Sequence, residues 1–539
     1  MTDTMRYLLR HILLVWAMMQ IIGVAHAQSY FNSSDTPDPT KFLAQPSADE
    51  NNPFWARDIY RHFQFKAYRD SAFYSDIYNA NFDYKLNETY LQAYYALYHV
   101  KFFQPAFDLV VNKNTNKDIF YFLDSCRKSC NQMIALIPDT WQRLRPCVRL
   151  REANFCMYRN ANDYSKDYTF APRLSFPSRE GAGGWLTGLL MSTLNPWSAD
   201  TIMSRAYRHG WCRQVSGGMW ASDVDMSRQL GTVAFAHLMS LPRFRNRLRT
   251  MQLKTAGLLY ASNLIPPRFA PGPGPSIDER LADDSLMTRL ANAVPLIEDE
   301  TDGGFQTDLS HYIAMKSLRD SIDINQLLVS SVDDIDNSTT AFVNLIGVGI
   351  NPITTPSMYK LVSSVEMCCD KLCQMVQAGA VKRRRPYELF GDEAITLEDL
   401  DVLSQRSSYP SFHASSGLAT ALMLMMIVPE QCDTLLKVGY QYGANRTLAG
   451  TSWLSDLEAG RLIGCMAVGV VASGSDFLDL LEAAQIEYHD RHDVVITDNP
   501  DIHADPGKEH TRLFTIDGKP ATPHSRGILV GKGRKVLVP

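Results

Sequence analysis

At 539 residues the chain can bury more than one hydrophobic core, and its 53 Lys and Arg against 58 Asp and Glu leave a net charge of −5. Such balance excludes a broad electropositive surface for nucleic acid, so any anion site must be local. At the N-terminus an apolar run over 12–24 follows Arg6 and Arg10 and precedes Ala25-His26-Ala27, the layout of an export signal (1–27) cleaved before Gln28. The run is shorter than the roughly 20 residues a bilayer core needs. The apolar stretches at 418–428 and 465–472 have the length of core helices, so no membrane span is expected in the mature chain, whose expected location is periplasmic, cell-surface or secreted.

A polar lead occupies 28–54. Apolar and aromatic residues then recur at helical intervals over 55–99 and 119–137, with few alternating patterns, and an all-α fold is expected. Residues 266–275 read Pro-Pro-Arg-Phe-Ala-Pro-Gly-Pro-Gly-Pro, which cannot propagate a helix. They predict a linker (266–277) between helical domains at 55–265 and 278–490. In the tail, 491–539, helical periodicity stops and the last residues alternate like a short β-hairpin. That ending resembles the C-terminal cell-surface sorting tails of secreted Bacteroidetes proteins, without their Tyr; the other reading is an ordinary edge hairpin.

The two predicted domains are related. Pro177-Ser178, Gly184, Pro196, Tyr207, Gly210, Arg213, Gly217, Trp220, Ser222-Asp223, Arg228 and Gly231 recur without a gap, at one constant offset, as Pro410-Ser411, Gly417, Pro429, Tyr440, Gly443, Arg446, Gly450, Trp453, Ser455-Asp456, Arg461 and Gly464. A unit this long is a duplicated domain rather than a solenoid repeat, whose periods run to roughly 50 residues. All ten cysteines lie beyond the signal, and Cys126/Cys130 and Cys369/Cys373 share an i,i+4 spacing. No His joins either pair at ligand spacing, so structural thiols or disulfides are expected and no metal.

Three segments in each repeat bear on chemistry. Arg143-Leu-Arg145-Pro146 and Lys382-Arg-Arg-Arg385-Pro386 are basic runs before a proline, which by themselves suit solvated helix ends. Pro410-Ser411-Phe412-His413, matched by Pro177-Ser178-Arg179-Glu180, suits a helix start whose free amides form an anion site, or a plain N-cap. Arg446 precedes Asp456 by the same interval as Arg213 precedes Asp223. Ser455-x-x-Glu458 predicts a capping box, with an i,i+3 pair between Glu458 and Arg461.

In this order and spacing the three segments resemble the acid phosphatase and PAP2 superfamily, whose pattern is Lys-x6-Arg-Pro, Pro-Ser-Gly-His and Ser-Arg-x5-His-x3-Asp. The resemblance implies two tandem PAP2-type helical bundles and a cofactor-free phosphoryl transfer. In that scheme the third-segment His attacks phosphorus, its Asp orients the imidazole, the second-segment His is the general acid, and the Arg and Ser side chains hold phosphate oxygens. Arg385, Ser411 and Arg446 would then bind phosphate, with His413 and Asp456 at catalytic positions. Ala378 replaces the Lys, Phe412 the Gly and Ser452 the nucleophilic His. The first repeat keeps Arg145, Ser178, Arg213 and Asp223, but Pro138 replaces the Lys, Arg179 the Gly, Glu180 the general acid and Met219 the nucleophile. A thioether cannot attack phosphorus, so the first repeat is expected to be catalytically dead. For the second, two readings stand: a pocket kept for phosphate or a small phosphoester with weak or no turnover, or a phosphomonoesterase with Ser452 as an altered nucleophile.

Overall fold

The computed structural model describes residues 28–46, 54–77, 99–150, 175–262, 274–295, 300–321, 338–396, 400–497, 514–515, 527–531 and 534–538, apart from positions 33, 142 and 216. The expected signal and most of the Pro/Gly linker lie outside them. The first half supplies α1 (Phe54–Ile77), α2 (His99–Phe107), α3 (Lys117–Ile134), α4 (Pro146–Arg149), α5 (Arg179–Leu194), α6 (Ala199–Val215), α7 (Ala221–Ser240) and α8 (Pro242–Ala261). Two short helices follow, α9 (Ile277–Leu281) and α10 (Asp284–Ala291). The second half supplies α11 (Phe305–Ser321), α12 (Ser338–Ile346), α13 (Pro356–Ala378), α14 (Pro386–Phe390), α15 (Leu400–Ser404), α16 (Phe412–Ile427), α17 (Cys432–Leu448), α18 (Leu454–Ala472) and α19 (Phe477–Thr497).

Three consecutive helices of the two halves correspond. α5 and α16, and α6 and α17, begin and end at the offset of the sequence repeat, and α7 and α18 begin at it. Local chemistry explains the agreement. Ser178 Oγ accepts from Gly181 N at 2.9 Å and Ser411 Oγ from Ala414 N at 3.3 Å, so the same N-cap starts α5 and α16. Pro177 and Pro410 both follow cis peptide bonds. The turn after α6 needs a left-handed residue, Gly217 (φ 68°), and the turn after α17 needs Gly450 (φ 78°), a conformation open to glycine at little steric cost. Gly231 and Gly464 recur for another reason. A Cβ there would lie 2.7 Å from the Ala182 carbonyl and 2.6 Å from that of Ser415, so glycine lets α7 approach α5, and α18 approach α16.

The expected division into two domains is not what the packing produces. Both halves belong to one compact unit that ends at His489. α7 packs on α16 and α18, α1 packs on α11, and α10 packs on both α6 and α13. One continuous apolar core, including Trp185, Phe235, Leu422 and Val468, runs through both. The cause is visible in α16 and α18, which bury nearly every residue and so must be covered on all sides.

Residues from Asp490 form the second unit. Within it Phe514–Thr515 pairs antiparallel with Gly527–Gly531, which pairs antiparallel with Arg534–Val538, Gly531 opposite Arg534. Among the described residues no single helix is long and apolar enough to cross a membrane; α18 with part of α19 passes by length and composition as a pair bent by 101°, but α18 is a buried core helix. Cys126, Cys130, Cys369 and Cys373 are buried free thiols, and burial raises the pKa of each above the ordinary thiol range.

Candidate functional site

The second half gathers most of its motif residues around one cavity of about 660 Å³, lined by Arg385, Ser411, Phe412, His413, Arg446 and Ser452 among others. Its side chains arrive from several elements. Arg385 caps α14 and is oriented by three carbonyls: its Nε donates to Leu403 O (3.1 Å), Nη1 to Thr451 O (2.8 Å) and Nη2 to Ser407 O (3.3 Å). A guanidinium carries five N–H donors, so this anchoring is compatible with gripping an anion. Arg446 is in the last turn of α17 and is 2% exposed. Its carbonyl accepts from Ser452 N at 3.2 Å, which folds the loop back and sets Ser452 on the cavity wall. Ser411 and His413 come from the start of α16, whose unpaired amides and positive dipole end favour anions.

The His413 ring stacks on Tyr442, with centroids 5.6 Å apart. Burial first, and the Arg385 charge second, push its pKa down to about 4, so the imidazole is neutral at neutral pH. Cys373 also reaches the cavity, but burial pushes its thiol up to about 12, and it is no thiolate.

Asp456 is placed differently from what the motif predicts. It is fully buried and not among the cavity-lining residues. One carboxylate oxygen accepts from Arg383 Nη1 (2.6 Å) and the other from Trp453 N (2.8 Å). The helix therefore starts at Leu454 with Trp453 as N-cap, and the expected Ser455–Glu458 capping box does not form. Ser455 instead donates to Asp308, which also takes Ser455 N (2.9 Å) and pairs with Arg383 Nη2 (2.7 Å). Glu458 pairs with Arg57 Nη1 at 2.7 Å rather than with Arg461, which lies over the Tyr440 ring and donates to Tyr440 O at 3.3 Å.

This clamp, which the motif spacing does not announce, is built twice. In the first half Arg143 pairs with Asp58 (2.8 Å) and Asp223 (2.7 Å), and Ser222 donates to Asp58 (2.6 Å). The aromatic packing is duplicated as well. Trp220 Nε1 donates to Leu144 O and Trp453 Nε1 to Arg384 O, both at 2.8 Å, and Trp55 and Phe305 meet these indoles edge-on at 5.1 and 5.0 Å. The available signal was Trp55-x-x-Asp58 against Phe305-x-x-Asp308, too short a match to stand out. Burial pushes Asp223 and Asp456 upward against their arginines, whereas Arg57 and Arg383 together overcome burial and hold Asp308 well below the carboxylate range. Arg57, from the first half, also pairs with Asp308 and so joins the halves.

The first-half counterparts have another environment. Arg145 Nη1 donates to Gly218 O at 2.9 Å and lies 3.5 Å from the Met219 sulfur, and Arg213 is 1% exposed. Ser178 caps α5 and Glu180 follows in its first turn. Burial alone would raise Glu180, but Arg213 and then Arg145 hold it below the usual carboxylate range. No group of His, Cys, Asp and Glu able to hold a metal occurs among the described residues.

Residues 367–477 match the PAP2 superfamily, and the chain therefore carries a PAP2 superfamily domain that spans most of the second-half cavity wall. It is 33% identical over 148 residues to a non-specific acid phosphatase of Providencia stuartii, covering 28% of this chain and 60% of that protein's length. It is 25% identical over 194 residues to a non-specific acid phosphatase of Salmonella typhimurium, covering 36% and 78%. An acid phosphatase of Zymomonas mobilis is 30% identical over 105 residues, covering 20% and 40%.

Proposed function

We propose that the second half is a phosphate or phosphoester pocket with little or no turnover, and that the first half is a degenerate copy of the same domain. The observation that carries this reading is the convergence of Arg385, Ser411, His413, Arg446 and Ser452 on one cavity. Two guanidiniums, a serine hydroxyl and a helix start make a local anion site in a chain without a general positive charge. Hydrolysis through a phospho-enzyme needs an attacking group, and Ser452 stands where the resemblance places the histidine. A serine hydroxyl needs a base, and His413, held down to about 4, is a weak one. The carboxylate that would orient an imidazole is held by Arg383. Residues 1–27 fit export, so the ligand is an extracytoplasmic phosphate or phosphoester.

The alternative, a serine-based phosphomonoesterase, is favoured by one fact: Ser452 and a neutral His413 share the cavity. The test is binding and turnover measured together. Inorganic phosphate is expected to stabilise the protein thermally, and Arg446→Ala to abolish that effect, while p-nitrophenyl phosphate is hydrolysed no faster than by Arg446→Ala. Robust wild-type turnover that disappears in Ser452→Ala establishes the alternative.

A further inference from the structure

We propose that Arg406 is a specificity-determining residue of the second-half cavity, and that the ligand it selects is a phosphoester whose organic part carries a second anionic group, a carboxylate. This rests on the phosphate reading of that cavity. A volume of about 660 Å³ lies within the range of sites that enclose small organic ligands, roughly 300–1,000 Å³, so a phosphate on Arg385 and Arg446 leaves room for what the phosphate is attached to. Arg406 lies on the wall of the same cavity. It is exposed, and its side chain has no hydrogen bond or ion pair among the described residues. Arg385 and Arg446, by contrast, are buried.

Local structure brings this third guanidinium to the other two. α15 ends at Ser404, and the Leu403 carbonyl accepts both from Arg406 N at 3.2 Å and from Arg385 Nε at 3.1 Å, so the loop that orients Arg385 is the loop that carries Arg406. Ser408, on the same loop, also lines the cavity. It is 2% exposed, and its hydroxyl has no hydrogen-bond partner among the described residues. A buried hydroxyl in that state costs stability until an acceptor reaches it, and a carboxylate oxygen is such an acceptor. The α13 wall has the opposite sign: Asp370 lies on it and accepts from Gln374 Nε2 at 2.8 Å. That charge disfavours an anion on its own side and leaves the Arg406 side for the second negative group. The guanidinium fork of Arg406 matches the two oxygens of a carboxylate, while the buried pair holds the phosphate.

The experiment compares two ligands on the full-length protein by isothermal calorimetry, 3-phosphoglycerate and glycerol 3-phosphate, which differ at one carbon: a carboxylate in the first, a hydroxymethyl group in the second. Wild type is expected to bind the carboxylate ester about fivefold more tightly, the size of one exposed ion pair. Arg406→Gln is expected to bring the two Kd values together. Arg384→Gln, which removes the same charge from a side chain paired with Glu300 off the cavity wall, is expected to keep the preference. Arg406 is exposed, so its variants should fold, which circular dichroism and the unfolding midpoint establish; Arg406→Ser answers the same question if Arg406→Gln does not. Equal affinities in wild type, a preference that persists without Arg406, or one that Arg384→Gln abolishes as well overturns the inference; if binding of both esters is still lost in Arg446→Ala, the phosphate reading stands. A wild type that binds neither ester nor inorganic phosphate overturns both.

Discussion

The two halves share a scaffold down to the turn glycines and the Arg-Asp-Asp clamp, yet differ where an anion would sit: Glu180 and Met219 in one, His413 and Ser452 in the other. Architecture and chemistry therefore separate cleanly in this molecule. The clamp, the caps and the close helix contacts serve folding, and they recur in both halves although residues 180 and 219 differ from residues 413 and 452.

The largest expected effect tests the shared part. Arg383→Ala strips a cation from buried Asp308 and Asp456, and Arg143→Ala strips one from Asp58 and Asp223; each should cost about 3–5 kcal/mol in urea unfolding. A small loss in one and a large loss in the other would break the equivalence of the halves. The next tests the divergent part. At a hundredfold excess over Kd phosphate adds about 2.7 kcal/mol of stability. That increment should vanish in Arg446→Ala and survive in Arg213→Ala; equal sensitivity would show that both halves bind.

Smaller effects sharpen the comparison. Gly217→Ala and Gly450→Ala place a side chain in the left-handed region and should each cost about 1–2 kcal/mol by chemical denaturation. A cost at only one would mean that the turns are not equivalent. The pH dependence is the finest probe. Burial pushes His413, His311 and His237 down to about 4, so between the ordinary histidine value of 6.5 and about 4 the unfolded chain binds more protons. The contribution of these histidines to stability should be full above pH 6.5 and fall as the pH drops through that window, and His413→Gln should make the fall shallower. An unchanged slope would place His413 in solvent rather than on the cavity wall.

The cavity-forming residues were legible in the sequence because they fall in three short segments whose order and spacing resemble a family pattern, with a cap, a turn glycine and a proline fixing the backbone beside them. Arg385, Ser411, His413 and Arg446 could be found without knowing how distant helices pack. The clamp could not, since Asp58 and Asp308 lie far upstream of their arginines, and only the packing of α1 and α11 brings them together. For the same reason the capping box at Ser455 failed: its hydroxyl was claimed by a helix far away in sequence. The two-domain expectation treated a Pro-rich segment as a boundary, while the all-round apolar character of α16 already required a neighbour on its outer side.

Arg57 is a part held in common. It belongs to the first half, yet its guanidinium neutralises Asp308 and Glu458 of the second, and α7 covers the apolar back of α16. The first half thus supplies the second with a counter-charge and an apolar cover. Removing the first half would leave Asp308 short of one cation and α16, the helix that starts at the cavity, short of an apolar neighbour.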